Sequence, residues 1–284
     1  MAVFYNQATL SYNDTVTNSN IVSGEIVEVL SAAKTAVVDR YTVGDTVTYL
    51  VSIVNSGAVP FTGLTVTDDL GAYPFGTGSV TPLTYVDGSV RYYVNGDLVA
   101  APAVTAGPPL TISGITVPAN GSAIIAYQAR VNGFAPPTEG GQVVNTAVIS
   151  GGGLTTPLTV TETITAEAAP SLTITKSLSP ETVTENGELT YTFIIQNTGS
   201  LPVTAADNAA VTDTFDPVLQ GLAVTVDGTV WTEPANYTYD EATGVFATVP
   251  GQLTVPAATF TQDPETGAFI TQPGIVTIRV RGTV

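Results

Sequence analysis

A chain of 284 residues with a formal net charge of −17, of which 44% are hydrophobic and only 11% charged, has room for two domains of ordinary size and a short appendage. The acidic balance excludes nucleic acid and anionic membrane surfaces as partners, because both repel it. With no cysteine and no histidine, disulfide staples, thiol chemistry and the usual general base are excluded too.

The first 29 residues read as a β-hairpin. Asn6, Ala8, Leu10 and Tyr12 share one face of a period-two strand. A polar turn follows, and then a second stretch carries Ile21 and Ile26 and ends among acidic residues. Next comes a strand bearing Lys34, followed by VGDTVTYLVSIVNSG (Val43–Gly57), LTVTDDL (Leu64–Leu70), VDGSV (Val86–Val90) and LTI (Leu110–Ile112). NGSAIIAYQARVNG (Asn120–Gly133) and VVNTAVISG (Val143–Gly151) complete this copy.

The plan then repeats after about 140 residues. A second lysine strand carries Lys176, and ENGELTYTFIIQNTGS, AAVTDTF, VDGTV and LTV follow in order before QPGIVTIRVRGTV. No run shows helical spacing, and none approaches the roughly 20 apolar residues that a membrane-crossing helix needs. Short alternating strands between Gly, Pro, Asn and Asp turns predict an all-β chain of two tandem immunoglobulin-like sandwiches. The expected divisions are a donor hairpin at 1–29, a first sandwich at 30–166 and an incomplete acceptor sandwich at 167–284.

The second copy is expected to be incomplete because nothing in it corresponds to the Asn145 hairpin. The stretch Phe4–Ala36 follows the plan of Val143–Ser177, so the missing element has its match at the N-terminus. A sandwich short of two strands exposes an open edge and a strip of core, which an added strand pair covers. Only a few residues separate the hairpin from Lys34, and at about 3.5 Å each they cannot run back along a whole domain. The expected donor face, with Ala8, Leu10, Tyr12, Ile21 and Ile26, therefore belongs in a neighbouring copy. A heterologous contact of that kind builds an open head-to-tail homopolymer. The bland alternative is a frayed arm or an edge strand.

Three polar residue types fall in the core phase of each copy. Asp68 shares parity with Leu64 and Val66, Asp213 with Val211 and Phe215, Asn145 with Ala147 and Ile149, and Lys176 with Leu172 and Ile174. The alanines around Lys34 leave its phase open. Lone buried polar groups are costly, so a shared purpose is expected. Burial favours a neutral, nucleophilic amine, and a carboxyl held protonated in an apolar site can polarise a carboxamide. These groups suit a spontaneous isopeptide bond: Lys34 to Asn145 within the chain, promoted by Asp68, and Lys176 to Asn6 of the next subunit, promoted by Asp213. The competing reading is a non-covalent Lys–Asp pair beside Asn, or a lysine whose head reaches water.

On these motifs (the lysine strand, GDTVTYLVSIVNSG and NGELTYTFIIQNTG, LTVTDDL and AAVTDTF, VVNTAVISG) the chain resembles a bacterial surface-repeat family. That family is known as domain of unknown function eleven and includes isopeptide-forming fimbrial proteins. The resemblance implies a structural subunit of an extracellular or spore-surface fibre. No secretory signal, sorting signal or membrane tail is visible, which turns the expectation toward assembly in a mother cell and display as a spore appendage. The expected partners are further copies of the chain and an anchoring surface protein.

The competing class is an adhesin or ligand-binding module using Tyr92, Tyr93, Trp231 and Tyr237, although such aromatics more often pack strands. No cofactor or metal site is expected, since the carboxylates at Asp68-Asp69, Asp240-Glu241 and Asp263/Glu265 form no dense oxygen-ligand loop. Nor does any nucleophile–base constellation for an external substrate appear, so a self-made crosslink, formed once, is the only expected chemistry.

Overall fold

The computed structural model describes residues 2–284. They form β-strands with one short 3-10 turn, Ala205–Asp207. No helix is long and apolar enough to cross a membrane among the described residues. The chain is all-β: two tandem immunoglobulin-like sandwiches, the second incomplete, preceded by a hairpin.

The first sandwich is organised by Thr46–Asn55, in which Val47, Tyr49, Val51 and Ile53 all point inward and are fully buried. Beta-branched and aromatic residues at every second position suit a strand with one face against a core. Leu30–Ala36 lies on one side of it and Gly121–Val131 on the other, with Arg91–Val94 and Asp97–Val99 extending that sheet. The facing sheet runs Ala103–Thr105, Leu110–Val117, Phe61–Asp68, Gln142–Gly151, Leu158–Ala166 and Arg40–Tyr41 in that order. A bulge at Gly114, with φ +83°, bends Leu110–Val117 over the core. The two inner faces enclose one apolar cluster that includes Leu64, Val66, Ile112, Ile125 and Ile149.

In the second sandwich Glu188–Asn197 holds the central place between Leu172–Ser179 and Gly274–Thr283, and Gln220–Val226 and Thr229–Trp231 continue the sheet. Its core is more aromatic, with Tyr191 stacked on Phe215 at 4.8 Å between centroids and Phe246 against both Phe215 and Tyr237. The facing sheet is reduced to Thr212–Thr214, Val245–Thr248 and Tyr237–Asp240. Phe61–Asp68 of the first sandwich is paired along both edges, by Leu110–Val117 and Gln142–Gly151. Its counterpart Thr212–Thr214 pairs only with Val245–Thr248 among the described residues. The LTV run that matches LTI contributes a single bridge, Val203 to Val255. Gly251 with φ +81° precedes it and Pro256, which lacks a donor, follows it.

The pairing registers superpose the two copies. Lys34 lies opposite Val51, and Lys176 opposite Phe193. Gly121 pairs with Asn55, and Gly274 with Asn197. Each of these buried asparagines fastens a strand end. Asn55 Nδ2 donates to the carbonyls of Val59 and Pro118, and Asn197 Nδ2 to those of Leu201 and Pro256. Their Oδ1 atoms accept from Gly57 N and Gly199 N respectively.

Two features lie outside the sandwiches. The hairpin Thr259–Gln262/Phe269–Gln272 leaves the second copy and leans on the first. Phe269 N donates to Gly133 O at 2.8 Å, and Gln262 Nε2 donates to the Tyr73 hydroxyl at 3.0 Å. The other is the N-terminal hairpin, Ala2–Asn6 on Val22–Ile26 and Thr9–Tyr12 on Thr15–Asn18. Asn13 and Asp14 both take positive φ at its tip, 42° and 61°, as tight two-residue turns require. Phe4 lies over Gly24, where any side chain would collide with the ring. Its apolar side chains remain open to solvent: Tyr5 is 72% exposed, Leu10 60% and Ile21 62%.

Candidate functional site

The strongest chemical feature is a polar cluster inside the first sandwich, where the two sheets face each other. Leu30–Ala36 places Lys34 inward together with Leu30, and the Lys34 side chain is wholly buried. Pairing against Thr46–Asn55 decides this orientation, which the flanking alanines left open. Phe61–Asp68 brings Asp68 in after Leu64 and Val66, and Gln142–Gly151 brings in Asn145 ahead of Ala147 and Ile149. Ala147 sits directly opposite Asp68 in the register, so the asparagine and the aspartate approach from adjacent strands while the lysine comes from the other sheet.

Lys34 Nζ donates to Asp68 Oδ2 at 2.6 Å. The Tyr127 hydroxyl donates to the same oxygen, also at 2.6 Å. Asp68 Oδ1 accepts from Leu70 N at 3.0 Å. Asn145 Nδ2 in turn donates to the Tyr127 hydroxyl oxygen at 3.2 Å. The Tyr49 ring stacks on Tyr127 at 5.6 Å, and Lys34 Nζ stands 5.1 Å over the Tyr49 centroid. Asn145 Oδ1 and the Tyr49 hydroxyl are buried without a hydrogen-bond partner among the described residues.

Burial pushes the Lys34 amine below its ordinary value, against the opposing pull of the Asp68 carboxylate. Burial likewise drives the Tyr127 and Tyr49 hydroxyls well upward, with Asp68 adding to both effects. A lysine inclined toward its neutral form, a carboxylate to take its proton and a carboxamide with an unengaged carbonyl are the parts an amide exchange needs.

The equivalent place in the second sandwich is built differently. Lys176 Nζ pairs with Asp213 Oδ2, but these side chains keep 39% and 19% of their exposure. The ammonium rests over Tyr191 at 4.4 Å, Phe215 at 5.4 Å and Phe193 at 5.6 Å. Leu172–Ser179 is exposed along its whole length, because among the described residues no strand pair lies where Gln142–Gly151 and Leu158–Ala166 cover the first sandwich. Asn6 is not brought here. It sits on the exposed N-terminal hairpin opposite Val22. Ala8, Leu10, Tyr12, Ile21 and Ile26 are exposed with it.

Tyr127 and Tyr49 were missed at the sequence level. Tyr127 follows the inward period of Ala123, Ile125, Ala129 and Val131, a signal that marks a core position but not a polar partner. Tyr127 lies opposite Tyr49, whereas Val280 occupies that place opposite Tyr191. Of the aromatics considered for ligand contact, Tyr92 is buried with its hydroxyl donating to Thr116 O, and Tyr237 is buried in the second core. Among the described residues no group of three or more acidic side chains gathers as a metal site.

No family model matches the chain, and no curated protein matches it. Solved structures do. The pilus backbone protein RrgB of Streptococcus pneumoniae is 13% identical, with a TM-score of 0.36, over 86% of this chain and 55% of its own length. This chain thus spans just over half of that protein. The major pilin subunit BcpA of Bacillus cereus is 13% identical with a TM-score of 0.35, covering 96% of this chain and 73% of its own. A collagen-binding domain from a Staphylococcus aureus adhesin is 13% identical with a TM-score of 0.30, covering 48% and 95%.

Proposed function

We propose that the chain is a structural subunit of a surface fibre, extracellular or on a spore, that polymerises head-to-tail as the N-terminal hairpin of one copy completes the second sandwich of the next. One observation carries this reading. The same lysine–aspartate pair is sealed beneath an asparagine-bearing strand pair in the first sandwich and left half-open in the second, while an asparagine-bearing hairpin stands exposed at the N-terminus. Docked as Gln142–Gly151 and Leu158–Ala166 are docked, the hairpin gives Thr212–Thr214 a second partner, on its open edge, and covers the apolar strip beside Lys176. Leu10, Tyr12 and Ile21 then leave water.

Lys–Asn isopeptide bonds reinforce the fibre in this reading, Lys34 to Asn145 within a subunit and Lys176 to Asn6 between subunits. The amine adds to the carboxamide carbon, the C–Nδ2 bond breaks, and nitrogen leaves as ammonia. Removing residues 1–29 tests the assembly step: the truncated chain stays monomeric in size-exclusion chromatography and electron microscopy, and the hairpin supplied as a peptide raises the melting temperature of the second sandwich. Fibres formed by the truncated chain overturn the proposal. Denaturing electrophoresis of boiled polymer, with Lys176→Ala beside the unaltered chain, tests the bridge separately.

A further inference from the structure

Tyr127 touches both the carboxylate that holds the lysine and the nitrogen that would leave. Its hydroxyl donates to Asp68 Oδ2 at 2.6 Å and accepts from Asn145 Nδ2 at 3.2 Å. Lys34 Nζ donates to that same carboxylate oxygen at 2.6 Å. The four groups thus form one unbroken chain of hydrogen bonds, from the attacking nitrogen to the departing one, inside an apolar core.

We propose that Tyr127 is a catalytic proton relay of the first sandwich, passing the proton released by Lys34 to the leaving nitrogen of Asn145. The inference rests on the reading that Lys34 and Asn145 become joined, and it adds how a buried site that excludes water completes that exchange. Lys34 gives a proton to Asp68, which frees its electron pair to attack Asn145 Cγ. In the tetrahedral intermediate the new N–C bond still carries protons that must go, while Nδ2 cannot leave as a bare amide anion. Asp68 passes a proton to the Tyr127 oxygen as the Tyr127 proton moves to Nδ2. The C–Nδ2 bond breaks to release ammonia, Asp68 takes the second Lys34 proton, and that proton leaves with the ammonia as ammonium, so Tyr127 and Asp68 regain their starting states. One N–C bond forms and one breaks, and no oxidant or outside reactant enters.

The high intrinsic pKa of a buried phenol suits a group that carries a proton without keeping charge. Val280 stands at the equivalent register of the second sandwich, so this relay belongs to the first sandwich alone. Any crosslink formed in the second must move its proton by another route.

The test follows ammonia loss by intact mass over time in full-length chain made by cell-free synthesis, from mildly acidic to mildly alkaline buffer. Tyr127→Phe keeps the ring stacked on Tyr49 and is expected to slow the reaction about a hundredfold, the scale of a lost general acid–base group. Tyr49→Phe removes a phenol of the same stack that lies outside the Lys34–Asp68–Tyr127–Asn145 hydrogen-bond chain, and should slow the reaction far less than Tyr127→Phe. A fluorinated tyrosine at position 127 preserves shape and both hydrogen bonds, so it answers for folding. It should shift the pH profile, which a packing role would leave in place. Equal rates for Tyr127→Phe and the unaltered chain, or equal slowing by Tyr49→Phe, overturn the relay. Unaltered chain that never loses ammonia overturns the covalent reading itself and the relay with it.

Discussion

Asp68→Ala and Asp213→Ala remove the same group from the same register and should have very different consequences. On an Asn145→Ala background no bond to Lys34 can form, so the comparison reads the ion pair alone. Asp68 is the acceptor for Lys34 Nζ, the Tyr127 hydroxyl and Leu70 N, and both members of the pair are fully buried. Removing one partner of a buried pair leaves the other charge uncompensated, which costs about 3–5 kcal/mol. Orphaning a buried hydroxyl and an amide would add about 1–3 kcal/mol, but these share one oxygen environment and do not sum freely. Lys34 limits the loss by giving up its proton, as its lowered pKa allows. A net cost of about 4–5 kcal/mol follows.

Asp213 pairs with a lysine that keeps 39% of its exposure, so water replaces the lost partner and about 0.2–1 kcal/mol is expected. Urea unfolding followed by hydrogen exchange on peptides from each sandwich, with Trp231 fluorescence for the second, separates the two transitions. Comparable costs at the two positions would refute the argument that burial, rather than the pairing itself, sets the magnitude.

Other consequences are open to measurement. Asn55→Ala removes donors to Val59 O and Pro118 O and the acceptor for Gly57 N. It should lower the stability of the first sandwich by about 2–4 kcal/mol in urea unfolding, and Asn197→Ala should act alike on the second. Deleting residues 1–29 from monomeric chain should leave both unfolding midpoints nearly unchanged, because the hairpin's apolar side chains are exposed. A large fall would mean that it packs on its own sandwich.

Alkaline pH should weaken the first sandwich. Burial holds the Tyr41, Tyr49 and Tyr127 hydroxyls far above their ordinary value of 10.0. The unfolded chain therefore releases protons that the folded chain retains. Stability from these groups is complete below pH 10 and is lost above it, at up to about 1.4 kcal/mol per pH unit for each tyrosine. Lys34 acts in the opposite sense below its ordinary 10.5, so the clean window lies above that value. Urea midpoints across it should fall, and Tyr49→Phe should flatten the fall.

Much of this architecture is legible in residue order. Alternation in TVTYLVSIVN and ELTYTFIIQN marks central strands, because a strand turns successive side chains to opposite faces. The same parity puts Asp68, Asp213, Asn145 and Lys176 among apolar neighbours, and the repeat shows which elements correspond. Parity has nothing to say about partners across the sandwich. The inward period assigns Tyr127 to the core, but only the stacking of one sheet on the other brings its hydroxyl to Asp68 and Asn145. Nor did residue order reveal that Asn55 and Asn197 pin strand ends, or that Phe269 and Gln262 reach back to the first sandwich.

The sequence by itself determined the strand period, the two-copy plan and the residue types in the core phase, all of which are local properties of a pleated chain. Tertiary structure decided that Lys34 is sealed while Lys176 stays half-open, that Tyr127 rather than Val280 bridges the buried polar groups, and that the N-terminal hairpin stands apart with its apolar face in water. Those outcomes depend on which faces meet across about 10 Å of interior, a distance over which neighbours in space are no longer neighbours in sequence.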